Sequence, residues 1–284
     1  MLRSWRDLQS LIYLLALPLL VAWQWRRGFS WLAYGVVLFL TLGVGVIHHN
    51  HAHLPMWRSR WLNRLTDLYL SLLQGHPGFV FHCSHMANHH RYRQGPQDMT
   101  RTWRFGDHNH LAGYLLHPLQ VLPVLYPHFA AWLARLRRRS PAAYRRCLLQ
   151  YAAVLLPWGA LAWLDWQNWL LLVLLPQLHG LHWLLATNYL QHAHADGHSR
   201  YDYARNFAGW VNPLLFNIGL HTAHHEHPHA HWSTLPTLHA QLRHRIDPRL
   251  QAGGLLPYMF RTFLLGPLLP RHRSHSLMTP PETR

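Results

Sequence analysis

Four long apolar segments limit the folds open to this chain of 284 residues. They cover residues 8–25, 29–47, 147–164 and 169–187, two in each half of the chain. A helix that crosses a membrane needs about 20 residues at about 1.5 Å each, so each segment is just long enough. Short links join the members of each pair. The sequence therefore predicts an all-α integral membrane protein, with four transmembrane helices in two hairpins and a single domain over residues 1–284.

Arginine predicts the orientation of these spans. All 26 basic residues are arginine, and 13 of them lie in residues 48–146 and nine from Arg200 onward. The link Asp165–Asn168 has none. Because basic loops stay on the cytoplasmic side, we expect both termini and the regions 48–146 and 188–284 to be cytoplasmic, at a bacterial-type inner membrane. A basic chain with apolar spans and no nucleic-acid-binding motif is not expected to bind nucleic acid.

Three further apolar segments are expected to be interfacial helices that belong to a cytoplasmic helical cap. Trp61–Leu73 has apolar residues at helical spacing, Leu111–Ala134 contains three prolines, and Leu255–Pro270 is interrupted by Arg261. Cys83 and Cys147 are too far apart for a C-x-x-C motif. The chain is thus expected to carry no disulfide framework and no fused iron–sulfur or rubredoxin-like module.

Histidine is unusually frequent, with 28 residues, and four clusters have the spacing of metal ligands. They are His49-x-x-x-His53, His85-x-x-x-His89-His90, Asn188-x-x-x-His192 and His221-x-x-His224-His225. Residues three or four apart share a helix face, and neutral imidazole is the commonest protein metal ligand. A register that uses His48 with His53 stays open. The predicted topology brings all four clusters to the cytoplasmic side.

The number of candidate ligands predicts more than one metal ion. Nine histidines and Asn188 exceed the four ligands of one tetrahedral zinc. Imidazoles that face apolar substrate volume favour redox iron over hard cations, which prefer oxygen. A carboxylate-bridged bundle needs paired Glu-x-x-His motifs, and the only glutamates are Glu226 and Glu282. No catalytic residue beyond the metal site and no organic cofactor are expected.

Other histidines have weaker signals. The alternating run His225, His227, His229 and His231 leaves a zinc-handling membrane protein open as a remote alternative. Isolated histidines are expected to be polar tips at the interface: His76, His108, His110, His117, His128, His239, His244, His272 and His275. A role for His48, His82, His179, His182 or His227 stays open. Five acids near the clusters are candidates to hydrogen-bond the ligands: Asp98, Asp107, Asp196, Asp202 and Glu226.

The four motifs, HNHAH, HMANHH, NYLQH and HTAHHEHP, closely resemble the histidine boxes of the integral-membrane fatty acid desaturase and hydroxylase superfamily. The resemblance covers residues from about 45 to 242. It implies a non-haem di-iron site, two Fe with O₂ as co-substrate, that removes hydrogen from an unactivated C–H bond of a membrane lipid or acyl substrate. It also implies that the nine histidines hold the irons, with Asn188 as a weak or water-mediated ligand. A fatty acid desaturase is the expected function.

Departures from the desaturase pattern leave other reactions open. The spacing His85-x-x-x-His89-His90 is similar to that of alkane and xylene hydroxylases, although this chain is shorter and has four clear spans. A terminal-methyl hydroxylase and a fatty acid decarboxylase of the same superfamily are the alternatives. Electrons are expected from an external donor of ferredoxin or rubredoxin type, which the arginine-rich face would attract.

Overall fold

The computed structural model describes residues 1–278, and helix makes up 71% of the structure. The helices that matter here are α1 (Leu8–Arg27), α2 (Trp31–His53), α3 (Arg60–Gln74), α4 (Leu111–Arg139), α5 (Pro141–Leu164), α6 (Trp166–His192), α7 (His221–Glu226), α8 (Leu235–Leu242) and α9 (Leu255–Leu265). A π-helix covers Phe81–His89. The predicted all-α class is confirmed. The predicted domain ends at residue 284, and residues 279–284 lie outside the described part.

Four helices are long and apolar enough to cross a membrane: α1, α2, α5 and α6. Each overlaps one of the predicted spans, and α2 begins two residues later than predicted, so the prediction of four spanning helices is confirmed. Three of them continue past the predicted end of the apolar segment, α1 by only two residues. α2 extends to His53 and α6 extends to His192. The first and third histidine clusters therefore lie in the last turns of spanning helices.

Local residues set the short links between these helices. Gly28 ends α1 with φ of 96°, a conformation that glycine adopts without steric cost. The Ser30 hydroxyl then accepts the Ala33 N–H and starts α2. In the second half of the chain, the Asp165 carboxylate accepts the N–H groups of Gln167 and Asn168 and so caps the start of α6. Asp165 is the only residue between α5 and α6.

Residues 1–83 and 128–184 form one compact unit, the first unit. Within it α2 packs against α1 and α3, and α3 packs against α5. Two glutamines join helices in the apolar interior. Gln74 Nε2 donates to the Thr41 carbonyl at 3.1 Å, and Gln177 Nε2 donates to the Leu72 carbonyl at 2.8 Å. Such bonds satisfy polar groups that hydrocarbon cannot solvate.

Residues 84–127 and 185–278 form the second unit. It contains two short strands, β1 (Asn206–Ala208) and β2 (Gln251–Gly254), which pair in parallel. Aromatic residues pack beside them, among them Tyr189, Phe207 and Tyr258. The three segments predicted as interfacial helices are helical, as α3, α4 and α9. Their depth relative to a membrane remains a prediction.

Candidate metal centre

His49 and His53 lie side by side in the last turns of α2, in the first unit. Their ring centroids are 4.8 Å apart, and both side chains are buried. The four-residue spacing puts them on one helix face because α2 stays helical to His53. His48 does not pair with His53, as the alternative register would require. Its ring instead stacks on the ring of His76, with 5.3 Å between the ring centroids. His76 was expected to be an interfacial tip, and that expectation is wrong.

The π-helix Phe81–His89 separates the three histidines of the second cluster. A π-helix has i→i+5 hydrogen bonds, so residues five apart align along it. His85 and His90 are five apart, and their Nε2 atoms are 3.0 Å from each other. His90 Nε2 also lies 3.1 Å from Nε2 of His224. These three residues of the second unit form the first histidine group.

His89 belongs to a different group. It converges with His192 at the end of α6 and with His221 and His225 in α7, and the four ligand atoms lie within 4.8 Å of one another. His221 Nε2 is 3.0 Å from His192 Nε2 and 3.1 Å from His225 Nε2. All four side chains are at most 3% exposed. This second histidine group lies entirely within the second unit.

The short distances between these ring nitrogens indicate a cation site. A neutral imidazole nitrogen either donates or accepts a proton. His221 Nε2 therefore cannot donate to one neighbouring ring nitrogen while it accepts from the other. Imidazole nitrogens that would share one metal ion, each bonded at about 2.1 Å, lie roughly 3.0–3.4 Å apart. The Nε2 pairs at 3.0 and 3.1 Å match that separation.

A family model described as fatty acid desaturase matches residues 23–252. The match covers more than half of the chain and includes all four histidine clusters. This chain belongs to the fatty acid desaturase family. No curated protein matches it. Together with the four apolar helices, membership makes it an integral membrane protein that acts on lipid or acyl substrates.

The donor atoms of this family member suit the iron that the family implies. Both histidine groups offer imidazole nitrogen alone, and imidazole binds iron as well as zinc and copper. Burial lowers the pKa of His225 well below its ordinary value, as do the neighbouring histidines His90 and His221, so the ring is neutral and able to bind a metal. The buried Nε2 of His89 has no hydrogen-bond partner among the described residues. A metal ion would satisfy it.

Asp98 orients His89. The carboxylate is fully buried and lies 2.8 Å from His89 Nδ1, and it also accepts the N–H groups of Gln94 and Thr100. Burial alone would raise the pKa of Asp98, but His89 and these hydrogen bonds lower it to about 2. The ionised carboxylate accepts a hydrogen bond from Nδ1–H, which keeps the proton on Nδ1 and leaves Nε2 with a free lone pair for a metal.

His192 is oriented by a backbone carbonyl. Its Nδ1 donates to the Tyr203 carbonyl at 2.7 Å, which directs Nε2 toward the second histidine group. The Tyr203 hydroxyl in turn donates to Glu226 at 3.2 Å, and Glu226 pairs with Arg93 at 2.9 Å. Glu226, one of the five predicted acids, thus acts on His192 only through Tyr203, and no direct hydrogen bond from it to a ligand ring is observed in the described residues.

The other predicted acids have different partners. Asp107 accepts the Ser276 hydroxyl, Asp196 accepts the N–H groups of His198 and Ser199, and Asp202 accepts the Asp247 N–H. In residues 1–278, Asp98 is the only one of the five for which a hydrogen bond to a predicted ligand histidine is observed. Sequence distance alone could not single it out.

Asn188 does not direct its amide nitrogen at a metal. Nδ2 donates to the Thr100 carbonyl at 2.9 Å and lies 3.4 Å from Nε2 of His117. His117 is only 1% exposed, and burial lowers its pKa to about 4. The expectation that it is an interfacial tip is therefore wrong. No other histidine lies three or four residues from His117 in the sequence, so the spacing of metal ligands could not identify it.

The alternating histidines after α7 do not join either group in the described chain. His227 and His229 are exposed. His231 Nδ1 accepts the Ser233 N–H at the start of a short helix. This placement gives no support to a zinc-loading tract.

Proposed function

We propose that this chain is an O₂-dependent, non-haem di-iron oxidoreductase that acts on a fatty-acyl chain, and that it is a desaturase. The observation that carries the proposal is the division of seven histidines of the second unit into two groups with ligand atoms near 3 Å apart. Membership of the desaturase family gives the substrate class. Two groups support two metal ions.

We propose ten residues as metal ligands, as the family motifs imply. His89, His192, His221 and His225 hold one iron, and His85, His90 and His224 contribute to the other. His49 and His53 complete the set through the family's first box, and Asn188 contributes through its oxygen or a water. When bound, the iron pair supplies the oxidant that removes hydrogen from an unactivated C–H bond.

The protein residues have supporting roles in this proposal. Asp98 and the Tyr203 carbonyl fix the orientation of His89 and His192, so the ligand set is formed before metal enters. Burial of the second histidine group excludes water, which protects a reactive oxidant from side reactions. The buried Asp98 carboxylate also places one negative charge beside the second histidine group.

The first unit offers apolar volume that suits hydrocarbon. A cavity of about 340 Å³ is lined mainly by leucine, valine and proline side chains from α1, α3, α5 and α6, with Arg26, Thr41 and Gln177 as its polar lining residues. Pockets for apolar ligands have such linings with a few polar groups. This volume supports a fatty-acyl or alkyl substrate over a polar one.

A hydroxylase is the second candidate function. The spacing of His85, His89 and His90 favours it, because it resembles that of alkane hydroxylases more than that of many acyl desaturases. Mass spectrometry of lipids and hydrocarbons from cells with and without this chain separates the reactions. A new double bond supports desaturation, a new hydroxyl group supports hydroxylation, and a terminal alkene shortened by one carbon supports decarboxylation.

Metal analysis tests the di-iron centre. Protein purified without oxygen should hold about two irons per chain, and Mössbauer spectra should show coupled iron. His225→Ala should lose at least one iron, whereas the matched control His229→Ala, at an exposed histidine four residues away, should keep both. Zinc in place of iron, with lipid oxidation unchanged in His225→Ala, would contradict the proposal and favour zinc handling.

We also propose an acidic ferredoxin- or rubredoxin-type electron donor. The formal charge of +16 favours attraction of such a donor to the arginine-rich regions. The rate of reduction by an acidic ferredoxin should fall steeply as salt rises from about 0.05 to 0.3 M, since the Debye length shortens. A rate that does not change with salt would contradict an electrostatic encounter.

A further inference from the structure

A second cavity, in the second unit, is lined by cationic side chains. It has a volume of about 220 Å³, and five arginines contribute to its wall: Arg205, Arg249, Arg261, Arg271 and Arg273. No carboxylate is among the lining residues. This cavity, the arginine cavity, shares no lining residue with the two histidine groups.

Arg205 is the buried base of the arginine cavity. It is 1% exposed, and its Nη1 donates to the carbonyls of Leu190 and Ala193, each at 2.9 Å. The guanidinium lies 4.8 Å from the centre of the Tyr258 ring. Its Nε is buried and has no hydrogen-bond partner in the described chain. A buried cation is costly without a counter-charge, so an anion in the cavity would stabilise this arrangement.

Three of the four outer arginines are available to an anion. Arg249 is paired with Asp247 at 2.7 Å, which neutralises it. Arg261, Arg271 and Arg273 make no ion pair within residues 1–278, and all three are exposed. Arg273 donates from Nε to the Gly266 carbonyl at 2.9 Å and from Nη2 to the Pro267 carbonyl at 3.2 Å, so its charge is not neutralised and its other N–H groups can reach an anion. Guanidinium groups present a planar fork of donors that matches the oxygens of a phosphate. Several arginines around one small cavity therefore indicate a phosphate group rather than a neutral ligand.

Exposed apolar residues beside the cavity indicate where that phosphate comes from. Leu256, Phe260 and Leu264 follow one another at four-residue spacing along α9 and are 56%, 54% and 52% exposed. Leu268 continues the row at 79%. A helix with exposed apolar residues next to arginines is suited to the boundary between lipid tails and head groups. A soluble phosphate compound would not need this apolar row.

We propose that the arginine cavity binds the phosphate of an anionic membrane phospholipid, while the exposed apolar residues of α9 contact its tails. Arg205 is the buried anchor, and Arg261, Arg271 and Arg273 surround the head group. Arg205 lies two residues after Tyr203, whose carbonyl orients His192. The site binds lipid independently of the reaction, so its test does not depend on the proposed function.

Lipid retention by the intact protein tests the proposal. The full chain is purified in detergent, offered phosphatidylglycerol or phosphatidylcholine with identical tails, and the bound lipid is counted by native mass spectrometry. Phosphatidylglycerol should be retained at least about tenfold more tightly, since each arginine near the head group contributes. The triple variant Arg261→Gln, Arg271→Gln, Arg273→Gln should lose this preference and still fold, because these residues are exposed.

A charge-matched control separates a built site from diffuse attraction. The variant Arg137→Gln, Arg138→Gln, Arg139→Gln removes three exposed arginines at the end of α4 and should keep the preference. Equal loss in both triple variants, or no preference in the parent protein, would overturn the proposal. Displacement of the lipid by micromolar pyrophosphate would also overturn it, because the site would then belong to a soluble phosphate compound.

Discussion

At the scale of single residues, hydrogen bonds at one ring nitrogen decide what the other can do. Spacing identified His89 and His192 as candidate ligands, but it could not say which nitrogen would face a metal. Asp98 holds Nδ1 of His89, and the Tyr203 carbonyl holds Nδ1 of His192. Both rings therefore present Nε2. Asp98 differs from the other candidate acids because its carboxylate is fully buried and lies 2.8 Å from Nδ1 of the proposed ligand His89.

Substitution of Asp98 tests this role. Asp98→Asn removes the charge but keeps the size, so iron affinity should fall about 10- to 100-fold. Iron retained after a timed chelator challenge measures the change. Asp107→Asn, at an exposed carboxylate, is the matched control and should retain iron like the parent chain. Equal iron retention in the two variants would show that Asp98 does not support the metal site.

At the scale of elements, helix geometry distributes the histidines. The π-helix aligns His85 with His90, five residues apart, and so sends His89 to the other group. In α7, His221 and His225 share a face at four-residue spacing, and His224 faces His90. An ordinary α-helix over the second cluster would have paired His85 with His89. The spacing predicted that His85, His89 and His90 lie together, and the separation of His89 was not predicted because a π-helix has no clear sequence signal.

α4 packs closely against the end of α6 at Gly113, and a substitution there tests this contact. A Cβ at Gly113 would clash with the Tyr189 hydroxyl, which donates to the His108 carbonyl at 2.7 Å. Gly113→Ala should therefore destabilise the fold by about 1–3 kcal/mol. The displaced Tyr189 is next to Asn188, so iron content should fall as well.

Gly159→Ala in α5 is the control for that substitution. No atom lies within 4 Å of a Cβ built there. Alanine is a better helix former than glycine by about 1 kcal/mol, so this variant should be as stable as the parent chain or more stable. Thermal unfolding in detergent compares the two variants. Equal midpoints would contradict the close contact at Gly113.

At the scale of the whole molecule, charge predicts how the chain lies in a membrane. The link at Asp165–Asn168 has no arginine, whereas Arg137–Arg139 precede α5. The positive-inside rule puts the link outside and the arginine run in the cytoplasm. Cys83 and Cys147 are buried, so introduced cysteines can report accessibility with little background.

Cysteine labelling in intact cells tests this orientation. Gln167→Cys, an exposed position in the link, should react with a membrane-impermeant maleimide. Arg137→Cys should react only after the cells are lysed. The reverse pattern would invert the proposed topology and place the histidine clusters outside the cytoplasm.

Metal removal is a second test of the whole molecule. A ligand that binds only the folded state stabilises it by RT ln(1 + [L]/Kd), about 4 kcal/mol at 1,000 times Kd. Chelation of iron should therefore lower the unfolding midpoint by several degrees. Unfolding curves with and without chelator measure the shift, and a midpoint that does not move would argue against a metal-stabilised second unit.

The sequence by itself determined the fold class, the four spanning helices and the residue types of the candidate centre. These follow from local signals: uninterrupted apolar length, arginine between the apolar segments, and histidine at helical spacing. A residue's neighbours along the chain carry this information, so no tertiary contact was needed.

Only the tertiary structure decided how the histidines of the second unit divide, and which groups support them. Asp98 and Tyr203 act through contacts that residue spacing does not encode, and His117 and Arg205 became notable through burial. The short β1–β2 pair, which joins residues over 40 positions apart, was also unpredicted. Such features arise when distant segments exclude water together, and burial then forces each polar group to find a partner.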